Sequence, residues 1–351
     1  AVKQNLFFDD VMVTLRAESV ALYNTWCQVG TAVFNLTNDQ ATCAVIHSFC
    51  LYPHLGEAAV GVSFAAVQKP AECKSLTTVL KGLGANSTLL GAMLTEMQSM
   101  LGRGVASLDR RSEAKARCVP AARTACPDMF TDNELRSAFL KIFEHELNLK
   151  EYRPILDDAA WWSKRWLWCV NGSHNKAIGQ AVPKLNFEWQ GQAHRRVAAE
   201  MWSTDPTKDW DGMTFVSAAE KLEAGKTRLL LACDTRHYFA FEHLMAPVES
   251  CWRNDRVLLN PGEGGMANIC KRVLGLDGNL WAMMDYDDFN SQHTLRCQKI
   301  LMQTLCEFVG YDPVRTKRIV ASFDRMQVSV DGECLGFLQA TLASGSRVTT
   351  F

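Results

Sequence analysis

An apolar run that ends in a cluster of carboxylates constrains this chain more than any other segment. Leu280-Trp-Ala-Met-Met284 has the character of a fully buried strand, and it runs directly into Asp285-Tyr-Asp287-Asp288-Phe-Asn290. A buried strand that opens into several acidic side chains is costly unless their charge is neutralised, usually by a metal or another cation. Hard oxygen ligands at the mouth of a sheet suit Mg2+, which binds through one or two carboxylates, retained waters and substrate phosphates. The same residues also read as an Asp-rich turn capping a helix that starts near Ser291, because residues 292–308 have helical apolar spacing.

The 351 residues allow two or three domains or subdomains with a sizeable core. A 48% hydrophobic and 21% charged composition excludes a disordered or collagen-like chain. No apolar run reaches the ~18 residues that cross a bilayer, so no membrane association is expected. The start, Ala1-Val-Lys-Gln-Asn-Leu-Phe-Phe, lacks an initiator Met and the pattern of a cleaved leader, and the expectation is a piece of something longer. Lys and Arg number 37 against 38 acidic residues, so a nucleic-acid protein with this balance must concentrate its positive charge locally. The 13 cysteines are scattered without C-x2-C or C-x4-C spacing, which argues against zinc and fits a reducing compartment.

The first ~125 residues read as mostly helical. Between Arg103 and Arg123, the side chains Arg103, Arg110, Arg111, Lys115, Arg117 and Arg123 outnumber Asp109 and Glu113. A solvated basic face is the preferred reading, an RNA- or phosphate-facing surface the other. Thr131-Asp-Asn-Glu134 has capping-box spacing, and Leu135, Phe139, Ile142, Phe143 and Leu147 behind it form one apolar helical face. Trp161, Trp162, Trp166 and Trp168 read as a dense core seam, with base stacking as the alternative if they are exposed. Asn171-Gly-Ser-His174 reads as a turn.

Lys221, Lys226 and Arg228 precede Leu229-Leu-Leu-Ala232, a short apolar strand candidate. Fixed cations there suit a triphosphate, although a solvated hairpin reads equally well, and P-loop spacing is absent. Ser344-Gly345 offers amides and a hydroxyl in a small-residue loop. His174 and His293 read as structural. Neither G-x-S-x-G nor H-E-x-x-H occurs, which leaves hydrolase readings without support.

The order of these segments resembles viral RNA-dependent RNA polymerases. Three strings, Lys221-x-Glu-x-Gly-Lys226-x-Arg228, Asp285-Tyr-Asp-Asp-Phe-Asn-Ser-Gln-His293 and Ser344-Gly-x-Arg-x-Thr-Thr-Phe351, look like the polymerases of totiviruses and related double-stranded RNA viruses. Leu101-Gly-Arg-Gly104 and Trp166-Leu-Trp-Cys-Val-Asn-Gly-Ser173 are similar to upstream blocks of that family. The resemblance runs from about residue 100 to the last residue. It implies a right hand that binds two Mg2+, with Mn2+ as the alternative ion, and joins nucleoside triphosphates on an RNA template. Its motif F corresponds to Lys221 through Arg228, motif A to the Asp285 segment and motif B to that at Ser344. By this resemblance Asp285 is the metal ligand, with Asp288 a fallback in the catalytic set. Asn290 meets the ribose 2′-hydroxyl, Lys226 and Arg228 (with Lys221) hold the triphosphate, and Ser344, Gly345 and Thr349 line nucleotide and template.

One departure stands beside these matches. Motif C, a hairpin carrying Gly-Asp-Asp, should follow motif B, and that tripeptide does not occur in the 351 residues. A two-metal site needs carboxylates from both strands. The expectation is therefore an α+β chain with a mixed or antiparallel sheet that forms fingers and the first part of the palm, without thumb or motif C. A mainly helical region would span 1–125, fingers 126–275 and palm 276–351. Expected partners are RNA template and product, nucleoside triphosphates, a viral capsid protein, and a C-terminal polymerase segment or second polypeptide carrying motif C. The expected location is the virion interior or host cytoplasm. The competing readings are a non-catalytic RNA-binding or assembly subunit and a reverse transcriptase.

Overall fold

The computed structural model describes residues 6–101, 107–119, 129–223, 226–260, 265–275, 286, 289–339 and 341–349. They divide into two compact units: residues 1–108 with Glu220–Arg228, and Asp109–Ala219 with Leu229–Phe351.

The first unit is helical apart from the Glu220–Arg228 segment, as its sequence suggests. Its longest helices are Asn38–Leu55, Pro70–Gly82, Phe8–Glu18 and Ala58–Gln68. Local chemistry sets their starts. Ser19 accepts the Leu22 N–H, Thr37 and Gln40 close a capping box, and Pro70 occupies a first-turn position whose N–H would be unpaired anyway. Leu15, Leu22, Trp26, Val45, Val60, Met97 and Met100 form the core. The buried indole N–H of Trp26 donates to Ser48 Oγ at 2.8 Å, so its polar edge is satisfied.

A mixed four-stranded sheet runs in the order β2-β1-β3-β4: β1 (Thr214–Glu223), β2 (Lys226–Cys233), β3 (Met326–Val330) and β4 (Glu333–Phe337); Glu220–Arg228, where β1 ends and β2 begins, counts with the first unit and the rest of the sheet with the second. β1 pairs parallel with β3, Thr214 opposite Met326, and β3 pairs antiparallel with β4. The β3–β4 turn is Asp331-Gly332, with φ of 52° and 88°. Two consecutive positive φ angles give the turn whose twist matches the strands. The mixed α+β class agrees with the sequence expectation.

The helix Thr235–Ser250 is buried along nearly its whole length. Phe241, Leu244, Met245 and Val248 join the sheet core, while Tyr238 and Phe239 join a second cluster around Trp161, Trp162 and Ile178. The capping box at Thr131 forms as expected, and Phe143 and Leu147 of the stripe behind it are buried; Ile142 remains 37% exposed. The tryptophan seam also forms, with Trp161 stacked on Trp168 at 4.4 Å, but Trp166 stays 41% exposed. The helix after the acidic string starts later than the sequence suggests. Thr294 caps Leu295–Phe308, and a single 3-10 turn, Phe289–Gln292, precedes it. In the basic stretch, Arg110 and Arg111 pair with Asp331 and Glu333, whereas Arg103 and Arg123 lie outside the described residues. Among the described residues, no helix is long and apolar enough to cross a membrane.

Candidate functional site

The expected basic lead-in to a short strand proves to be strand itself. β2 begins at Lys226 rather than Leu229, and only two residues of sequence separate it from the end of β1 at Glu223. Alternation along a strand puts Lys221 and Glu223 on one face, and likewise Lys226 and Arg228. The result is convergence on one carboxylate. Glu223 meets Lys221 Nζ at 3.0 Å, Arg228 Nε at 3.0 Å and Lys226 Nζ at 3.6 Å. The Lys221 hydrogen bond, then the nearby Arg228 charge, hold the Glu223 carboxyl below its ordinary range. Three cations against one carboxylate leave excess positive charge on side chains that are 47–60% exposed. Sequence reading singled out the cations and gave Glu223 no role.

The loop at Ser344 is tied to the other end of β2. Leu231 N–H donates to Ser344 Oγ at 3.0 Å, and Gly345 N–H donates to Leu231 O at 2.8 Å. Gly345 permits this approach, since a Cβ there would stand 2.7 Å from both Ala232 Cα and Leu231 O. Thr349 Oγ1 donates within the loop to Ser346 O at 2.8 Å and Ala343 O at 3.0 Å. Arg347 pairs with Glu242 and bidentately with Glu249, at 2.7 and 2.6 Å, and this holds its charged form well above the usual range.

A fully buried polar group, unremarked in the sequence, holds the same loop. His237 Nε2 lies 2.9 Å from Ser346 Oγ, and its Nδ1 lies 3.3 Å from Thr214 Oγ1. Asp234, the cap of the buried helix, accepts the Phe215 N–H at 2.6 Å and the His237 N–H at 3.0 Å. Burial pushes the Asp234 carboxyl up against these bonds, and burial, with Arg195 second, pushes His237 down to about 3. The available signal was Asp before an apolar helical run.

Asn290 joins this assembly through its main chain. Its carbonyl accepts the Leu342 N–H at 2.9 Å and the Thr341 hydroxyl at 3.0 Å. Its side-chain amide has no hydrogen bond among the described residues. Phe289 stacks edge-on to His293 at 4.4 Å, and both line a cavity of about 100 Å³ with Leu342, Val348 and Thr349.

The structure thus brings Asn290, Ser344, Gly345 and Thr349 together in the second unit. Lys221, Lys226 and Arg228 gather separately in the first. Asp285 and Asp288 lie outside the described residues. Among the described residues, no group of three or more His, Cys, Asp or Glu side chains is placed to hold a metal. The carboxylates of the Asp285–Asp288 string are the hard donor set that suits Mg2+.

Comparison with known proteins adds an independent finding. The model of a family described as viral RNA-directed RNA polymerase matches residues 3–351. A "Probable RNA-directed RNA polymerase" of Leishmania RNA virus 1 - 1 is 36% identical over 99% of this chain and 40% of its own length. Another with that description, from Helminthosporium victoriae virus-190S, is 37% identical over 90% of this chain and 38% of its own. The chain therefore spans about two fifths of the length of these relatives. No solved structure matches it at a significant level.

Proposed function

Because the chain belongs to the viral RNA-directed RNA polymerase family, we propose that it supplies the fingers and first part of the palm of an enzyme that extends RNA on an RNA template. The observation that carries this reading is a continuous hydrogen-bonded path within one unit. Asn290, at the end of the acidic string, is bonded to Leu342, and the Ser344-Gly345 loop that follows is bonded to Leu231 of β2. Three segments far apart in sequence share one scaffold.

In the reaction, a 3′-hydroxyl attacks the α-phosphate of a nucleoside triphosphate. A bond from the 3′-oxygen to phosphorus forms, the bond to the bridging oxygen breaks, pyrophosphate leaves with the electron pair, and the hydroxyl proton is released. Asp285, with Asp288 in reserve, would hold Mg2+ or Mn2+, which supplies charge stabilisation to the transferring phosphoryl group. Lys221, Lys226 and Arg228 take the triphosphate in place of Glu223, which keeps the cations together until an anion arrives. The unpartnered amide of Asn290 meets the 2′-hydroxyl. Ser344, Gly345 and Thr349 present the loop to nucleotide and template, with Ser344 keeping its hydroxyl proton free to donate. The division into a helical region 1–125, fingers 126–275 and palm 276–351 belongs to this reading, as do a capsid-protein partner and action inside the virion or host cytoplasm.

Gly-Asp-Asp is absent from these residues, so the reading assigns motif C to the remaining polymerase segment or a second polypeptide. The test is RNA-templated incorporation by the 351-residue chain with and without a polypeptide carrying motif C. Mg2+-dependent incorporation of ribonucleotides only in the reconstituted mixture is expected. Deoxynucleotide preference would indicate a reverse transcriptase. RNA binding without incorporation would indicate an assembly subunit, and robust synthesis by the chain alone would refute the division of the site.

A further inference from the structure

Among the described residues, buried side-chain atoms without a hydrogen-bond partner concentrate in residues 162–195: Trp162 Nε1, His174 Nε2, both amide atoms of Gln190, and Arg195 Nε. Arg195 is the charged member. It is 6% exposed, and its buried Nε has no hydrogen-bond partner among the described residues. Glu242, whose charge acts on Arg195, is already engaged by Arg347. A cation taken out of water without a partner is strongly unfavourable, so a fold that retains one calls for an anion from elsewhere.

The site is built to hold that cation in place. The guanidinium carbon lies 3.7 Å from the centre of the Tyr238 ring, and Arg195 N–H donates to Gly172 O at 2.9 Å. A Cβ on Gly172 would fall 2.6–2.8 Å from three guanidinium atoms, so the seat exists because residue 172 is glycine. Two further cations, Arg196 and Arg165, act with Arg195 on neighbouring Cys169. Arg165 is braced by Ala199 O at 2.8 Å and lies 4.5 Å from the ring of half-exposed Trp166. Positive charge beside an exposed aromatic ring suits a phosphate carried by a nucleotide or a single strand.

We propose that Arg195, seated against Gly172 and Tyr238, anchors a phosphate-binding subsite, with Arg165 and Arg196 supplying the surrounding positive field. It rests on the polymerase reading only for the two sources of the phosphate, the RNA backbone and the triphosphate or pyrophosphate group.

The test is equilibrium binding, without divalent metal, of a short single-stranded RNA across a salt series and of inorganic tripolyphosphate, to the full-length polymerase and its Arg195→Gln variant. With RNA as the source, Arg195→Gln weakens RNA binding about tenfold and flattens the plot of log K against log salt by about 0.7, one phosphate contact on a single strand. With the nucleotide as the source, RNA binding stays put and tripolyphosphate affinity falls instead. Gly172→Ala, which keeps the charge but displaces the guanidinium, should reproduce whichever loss is seen, and it serves alone if Arg195→Gln does not fold. Unchanged binding of both ligands by a folded variant overturns the proposal and leaves Arg195 a structural residue. Because no synthesis is measured, a polymerase that fails to incorporate nucleotides would not alter this result.

Discussion

The hairpin tip and the polar group around His237 use the same kinds of side chain to opposite ends. At the tip, three cations share Glu223 while remaining about half exposed, so solvent screens each contact and any one is replaceable. Around His237, the helix cap Asp234, the imidazole and Ser346 are all buried and leave no room for an alternative partner. The first arrangement can release its cations to an anion. The second can only hold the Ser344–Thr349 loop in one shape. Substitution should therefore change ligand use at the tip and stability at the buried group.

The largest expected effect is on acid stability. His237 is pushed down to about 3, and His174 and His243 to about 4, burial being the first cause in each. Their environments differ: His174 faces Thr235, and His243 lies between Tyr311 and Asp158 with Arg315 close by. All three stay neutral when folded and take up a proton only on unfolding, so their stabilisation is complete above ~6.5 and is lost as pH falls toward the folded values. Each contributes a slope of up to ~1.4 kcal/mol per pH unit in that window. Denaturant melts at pH 7, 6 and 5 should show a steep decline, and His237→Gln should remove about a third of the slope attributable to these histidines. A slope unchanged by that variant would break the comparison at its buried side.

Next in size is Arg347→Ala, which strands buried Glu242 and should cost about 3–5 kcal/mol in a urea titration. His237→Leu removes the bonds to Ser346 and Thr214 and should cost ~1–3 kcal/mol. Asn290→Ala should leave stability alone and narrow the ribo/deoxy preference of the assembled polymerase, by at most ~1–3 kcal/mol in relative incorporation. The tip should likewise change stability little. Lys226→Ala and Arg228→Ala should shift the melt by no more than ~0.5 kcal/mol yet raise the apparent KM for nucleotides. A loss of RNA affinity with nucleotide use intact would instead turn the tip toward the template.

What the sequence disclosed follows the range of the forces involved. The Thr131 capping box and the helical first unit were legible because caps and apolar periodicity act within a few residues. So was the burial of Trp161 and Trp162, whose apolar area needs no specific partner. The convergence on Glu223 is hidden in the sequence because it depends on how β1 and β2 are paired, and the basic residues Lys226 and Arg228 do not themselves mark β2 as starting before Leu229. The Asp331-Gly332 turn is local in the same way, since an Asp-Gly pair favours two consecutive positive φ angles. Arg195 and His237 were not legible at all, since a charge without a carboxylate and an imidazole between two hydroxyls exist only once distant segments meet.

The most direct test of the central claim is Mg2+-dependent ribonucleotide incorporation on an RNA template by the full-length polymerase and its Asp285→Ala variant, with melting curves as the control for folding. If the Asp285–Asp288 string holds the metal, the variant should fold like the parent and lose activity by more than about a hundredfold, since the charge stabilisation removed is worth several kcal/mol. Incorporation within about tenfold of the parent by a folded Asp285→Ala protein would contradict the assignment of this acidic string as the catalytic metal site.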